Sequence, residues 1–168
     1  MRSRRPKTPT DPASPAGIRS VALRLLGIRA RGSKELARAL ERRGYERAAV
    51  EEALGRLVAE GWLDDLAAAR SIVRGRVGRY GKARIARELS VLGFSKEVSA
   101  AALVDAAGAA EAKALSAAFQ KLWRRSEGLD PSARRRRVAG ALSRKGFAAE
   151  SISAMMQGSH EEGEMDLG

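Results

Sequence analysis

Chemistry in this chain has few residues to work with. The 168 residues include no cysteine and one histidine, His160, in a polar C-terminal stretch. A thiolate nucleophile, a cysteine-bound metal and a histidine-based proton relay therefore cannot be assembled. The adjacent carboxylates Asp64 and Asp65 could share a cation. They follow Gly61-Trp62-Leu63 and open an apolar-periodic run, however, which is where a helix N-cap accepts bonds from orphan backbone N–H groups. The glycine-rich stretch from Gly75 to Gly81 lacks both the preceding strand and the Gly-Lys-Ser/Thr ending of a phosphate loop. No catalytic residue, cofactor, metal ligand or small-molecule substrate is expected, and the chain reads as a non-enzyme.

What remains is positive charge. The formal net charge is +12, and the last eleven residues contain four acidic residues and no Lys or Arg, which leaves +16 on the rest. Such a balance suits a polyanion or an acidic protein surface. Two stretches concentrate it. The first comprises Arg70, Arg74, Arg76, Arg79, Lys82, Arg84 and Arg87; the second comprises Lys121, Arg124, Arg125, Arg134, Arg135, Arg136, Arg137, Arg144 and Lys145. These sixteen residues are the candidate contact residues. With no Asn and two Gln, the chain lacks the usual bidentate readers of adenine, so contact with phosphates or carboxylates is favoured over base readout.

The elements that must hold these cations repeat three times. Leu36-x3-Leu40-x3-Gly44-Tyr45, Ile85-x3-Leu89-x3-Gly93-Phe94 and Val138-x3-Leu142-x3-Gly146-Phe147 share one pattern, spaced by 49 and 53 residues. A glycine at C′ in the left-handed conformation would put each leucine at C3 and each aromatic at C″, the pair that touches in a Schellman motif. The aromatics are therefore read as staples that turn the chain into a third helix, and Trp62 and Trp123 as packing residues. Apolar periodicity predicts helices over 18–30, 33–43 and 46–60, then from Asp64 or Asp65 to 80, 81–92 and 95–107. It predicts three more over 109–125, from the cap Asp130-Pro131, and over 148–157.

The expected fold class is all-α: three tandem three-helix repeats forming an elongated, curved array. The expected domains are a flexible basic tail at 1–17, repeats at 18–63, 64–108 and 109–157, and a flexible acidic tail at 158–168. The third helix of each repeat is acidic or nearly neutral, which argues against a tandem helix-turn-helix reader of the major groove. No run approaches the roughly 20 apolar residues needed to span a bilayer. Prolines follow the basic N-terminal residues where a signal peptide would need an apolar stretch. With no cysteine, a cytoplasmic location and no membrane contact are expected.

Several segments together carry a family resemblance: Ala22-Leu-Arg-Leu-Leu26, Arg31-Gly-Ser-Lys-Glu-Leu36, Leu57-x3-Gly61-Trp-Leu-Asp-Asp65, Val73-Arg74-x-Arg76, Gly81-x2-Arg84-Ile85-x2-Glu88-Leu89 and Gly93-Phe94. In order and spacing, from Ala22 to Leu103, they resemble the RecX family of regulatory proteins. The resemblance implies a bacterial protein of DNA repair, recombination and the SOS response that binds the RecA recombinase. It also implies a place in the groove of the RecA nucleoprotein filament and inhibition of recombinase, ATPase and co-protease activities. Two other readings stand beside it: a sequence-independent binder of single- or double-stranded DNA acting without RecA, and a helical adaptor for another acidic protein.

Overall fold

A computed structural model of the chain describes residues 11–104 and 108–164, the stretch 158–164 by its backbone alone. Among the described residues there are nine helices and no strand. They run α1 Pro15–Ile28, α2 Ser33–Glu41, α3 Arg47–Ala59, α4 Asp65–Arg76, α5 Lys82–Val91, α6 Lys96–Val104, α7 Ala109–Arg124, α8 Pro131–Arg144 and α9 Ala149–Glu164. None of these helices is long and apolar enough to cross a membrane.

The helix starts follow from capping chemistry. Ser14 caps α1 by accepting from the Gly17 N–H, with Pro15 at the first helical position. Asp64 accepts from the Ala67 N–H at 2.9 Å and caps α4, while Ser95 accepts from Val98 at 3.1 Å and caps α6. Asp130 accepts from the Ser132 and Ala133 N–H groups and from the Ser132 hydroxyl, fixing the start of α8.

The three glycine-aromatic stops are Schellman motifs. Gly44, Gly93 and Gly146 have φ of 91°, 83° and 85°. The N–H groups of Tyr45, Phe94 and Phe147 donate to the carbonyls of Leu40, Leu89 and Leu142 at 3.4, 3.1 and 3.4 Å. Phe94 and Phe147 are buried, and Tyr45 packs half-buried against the core of the first repeat.

That core joins Ile18, Ala22 and Leu25 of α1 with Leu36 and Leu40 of α2 and with Val50, Leu54 and Leu57 of α3. In the third repeat Leu115 and Phe119 of α7 meet Val138 and Leu142 of α8, then Phe147 and Ile152. Each fully buried Leu or Ile contributes about 1.5–3 kcal/mol, and three-helix units this small leave their stability partly to neighbours. The described residues pack as two compact units, one within 11–70 and 89–99, the other within 71–88, 100–104 and 108–164, so each takes part of the middle repeat.

Four sequence expectations change. Helix α1 starts at Pro15, three residues inside the tail expected to end at 17, and the Pro12 carbonyl accepts from the Glu46 N–H at 3.1 Å. Helix α4 stops at Arg76 instead of Tyr80, where the Arg79 N–H bonds three residues back to the Arg76 carbonyl and tightens the chain into a turn. Helix α9 is not short: it continues past 157 to Glu164, into the stretch expected to be a flexible tail. Trp62 is 59% exposed because the next residue, Leu63, takes the buried place. The basic N-terminal residues 1–10, the end of α6 expected at 107 and the final residues 165–168 lie outside the described residues.

Candidate anion-binding surface at the repeat junctions

The repeats are joined by one device used twice. The start of a second helix seats on the glycine-aromatic stop of the repeat that follows. In the first junction the Gly32 N–H donates to the Leu92 carbonyl at 2.7 Å; in the second the Gly81 N–H donates to the Lys145 carbonyl at 2.9 Å. Backbone lies directly against backbone in both. A Cβ on Gly81 would fall on the Gly146 carbonyl, and one on Gly32 would fall on the Gly93 carbonyl. Only glycine allows this approach.

A carboxylate closes each junction. Asp65, on the first turn of α4, accepts from the Ser33 N–H at 3.0 and 3.1 Å. Glu111, on the first turn of α7, accepts from the Lys82 N–H at 3.0 Å. Each satisfies an orphan donor at the start of a helix in the preceding repeat, so the cap comes from some thirty positions away in sequence. The two adjacent aspartates thus divide their work: Asp64 caps its own helix and Asp65 caps another.

The second junction gathers the two basic stretches into one place. Arg84 Nη1 donates to the Arg144 carbonyl at 3.4 Å, and Lys145 Nζ donates to the Arg79 carbonyl at 3.5 Å. Both cations lie over the ring of Tyr80, Arg84 at 4.3 Å and Lys145 at 5.3 Å from its centroid. The two nearby carboxylates are engaged elsewhere. Glu88 holds Arg76 through three hydrogen bonds of 2.9–3.1 Å, which also raises the guanidinium pKa, and Glu111 faces Lys82 Nζ at 3.5 Å. Among the described residues, Arg79, Arg84, Arg144 and Lys145 have no carboxylate partner.

The other candidate cations fall into two groups. Arg74, Arg87, Lys121, Arg124, Arg125, Arg136 and Arg137 are exposed, as is Arg70, which has a partner of its own. Arg134 is held inside the third repeat: it stacks over the Trp123 ring at 4.0 Å and donates to the Trp123 carbonyl at 2.8 and 3.2 Å. It ties α8 to the end of α7, which separates it from the exposed Arg136 and Arg137, while Arg135 is half-buried.

Sequence reasoning missed Tyr80 as a platform, and Asp65 and Glu111 as caps in trans. One signal could have found the junction. Gly32 and Gly81 stand twelve residues before Gly44 and Gly93, whereas Arg134 stands twelve before Gly146. Among the described residues the second helix of the third repeat seats on no later glycine-aromatic stop, and there Arg134 stands in the glycine's place.

Comparison with known proteins places these features in a family. Family models described as the first, second and third three-helix domains of RecX match residues 19–57, 64–103 and 110–156. The chain is 39% identical to the regulatory protein RecX of Xanthomonas campestris pv. campestris (strain B100), over 78% of this chain and 80% of that one. It is 36% identical to the regulatory protein RecX of Streptomyces coelicolor, over 97% and 87%. A crystal structure of regulatory protein RecX superposes with a TM-score of 0.73 at 25% identity, covering 85% of this chain and 71% of the other. RecX from Lactobacillus salivarius shares the fold at a TM-score of 0.76 and 20% identity, covering 85% and 94%.

Proposed function

The chain belongs to the RecX family of regulatory proteins, and on that premise we propose that it binds the RecA recombinase in its filament on DNA and inhibits it. Membership is the observation that carries this reading, because all three repeats match in order. The exposed cations supply a physical route. A filament of recombinase on DNA presents phosphates and acidic side chains, and unpaired arginines speed encounter with such a surface. Regulation then follows from occupancy, since a ligand that binds along a filament competes with the conformations its activities need. No residue of this chain is asked to do bond chemistry.

The direct test is sedimentation of RecA filaments assembled on single-stranded DNA with a slowly hydrolysed ATP analogue. The chain is expected to pellet with filaments at near-equal molar ratio and to stay in the supernatant with RecA alone at low nucleotide. Recovery in the supernatant under both conditions would overturn the proposal.

A further inference from the structure

The two repeat junctions form an internal comparison. Aligned on their glycines, Ala30, Arg31, Glu35, Val91 and Leu92 of the first correspond to Arg79, Tyr80, Arg84, Arg144 and Lys145 of the second. The backbone contacts are the same: an N–H to carbonyl bond, a glycine pressed on a glycine and a carboxylate cap. The formal charge at these five positions is zero in the first junction and +4 in the second. In the first, Glu35 is neutralised by Arg29 and Arg31. In the second, Arg84 takes the same place with no carboxylate, beside Lys145 over Tyr80. Folding this junction therefore requires none of the four charges, and their mutual repulsion is met within the described chain by the Tyr80 ring and two backbone carbonyls but by no carboxylate.

We propose that the second junction is a binding site for the phosphodiester backbone of nucleic acid, engaged by this chain without the recombinase. Two observations favour phosphate over an acidic protein surface. The five positions offer no apolar anchor of the kind that protein interfaces bury, since Val91, 77% exposed in the first junction, is replaced by Arg144 in the second. The Tyr80 ring is also already occupied by two cations, so it orients them and is not a free face for a partner side chain or a base. The site thus reads charge spacing along a backbone and carries no base preference. The first junction, with its closed ion pairs and exposed Val91, has no such affinity. This proposal goes beyond the recombinase reading and does not depend on it.

The scaffold itself supplies the test variants. Arg84→Glu and Lys145→Leu transplant first-junction residues into the second, where the same backbone already accommodates them. Binding of the full chain to a fluorescent single-stranded oligonucleotide is measured across a salt series, with helicity followed by circular dichroism. The proposal expects the double variant to lose at least about tenfold in affinity. It also expects the slope of log affinity against log salt to flatten by about 1.4, roughly 0.7 for each lost phosphate contact. If the double variant does not fold, the exposed pair Arg79→Ala and Arg144→Val carries the same expectation. Unlabelled polyglutamate should compete poorly. Unchanged affinity and slope in a folded variant, or polyglutamate competing as well as DNA, would overturn the site. Because no recombinase is present, that failure would leave the filament-sedimentation result standing.

Discussion

At the scale of single residues, the most instructive side chains are those whose chemistry is used for shape. Arg134 opens a run of four arginines, yet its guanidinium is fixed on the Trp123 ring and carbonyl. Composition could not show this, because the receiving carbonyl lies eleven residues back at the end of another helix. Caps were more legible: Asp130 followed by proline announces a helix start, and the structure places its carboxylate on two N–H groups and a hydroxyl. The Ser132 hydroxyl, followed by the Ala133 and Ser132 N–H groups, holds the Asp130 pKa below that of an ordinary aspartate. A lowered folded pKa means that this stabilisation is present above the unfolded aspartate value, about 4. It is lost as pH falls from there through the folded value. Asp130→Asn keeps the cap without the titration. Thermal melts from pH 6 to pH 2 should therefore show a steeper acid loss in the parent than in the variant, and parallel curves would refute this account of the cap.

At the scale of elements, the three stops were readable because a Schellman turn is local: glycine, leucine and aromatic sit within six residues of one another. The docking of α2 and α5 on later stops was not readable from local pattern, since Gly81 meets Gly146 across 65 positions and the signal is only the absence of a side chain. Where helices end was also partly hidden. The turn after Arg76 depends on backbone bonds that periodicity does not encode. The junction makes a sharp prediction about glycines. Gly81→Ala forces a methyl onto fixed backbone and should cost about 1–3 kcal/mol or more, lowering the melting temperature by several degrees. Gly55, which faces open space within α3, should instead gain about 0.5–1 kcal/mol on substitution by Ala. Equal shifts for the two variants would contradict a junction closed by glycine contact.

At the scale of the whole molecule, the threefold cadence made the all-helical repeat class legible before any coordinates, and the resemblance carried by the ordered motifs between Ala22 and Leu103 did the same for the family. They could not show that folding brings the cations of the second and third repeats together around Tyr80. That convergence depends on the second junction, and the first junction, built on the same backbone, lacks it. The repeat therefore acts as a uniform scaffold on which charge is distributed unevenly. The measurement that bears most directly on the central claim is ATP hydrolysis by RecA on single-stranded DNA, titrated with this chain at constant salt. The account predicts a progressive fall in hydrolysis, complete near or below one chain per recombinase subunit, and a weaker fall with Arg84→Glu plus Lys145→Leu. Hydrolysis that stays constant through a severalfold molar excess of folded chain would contradict it.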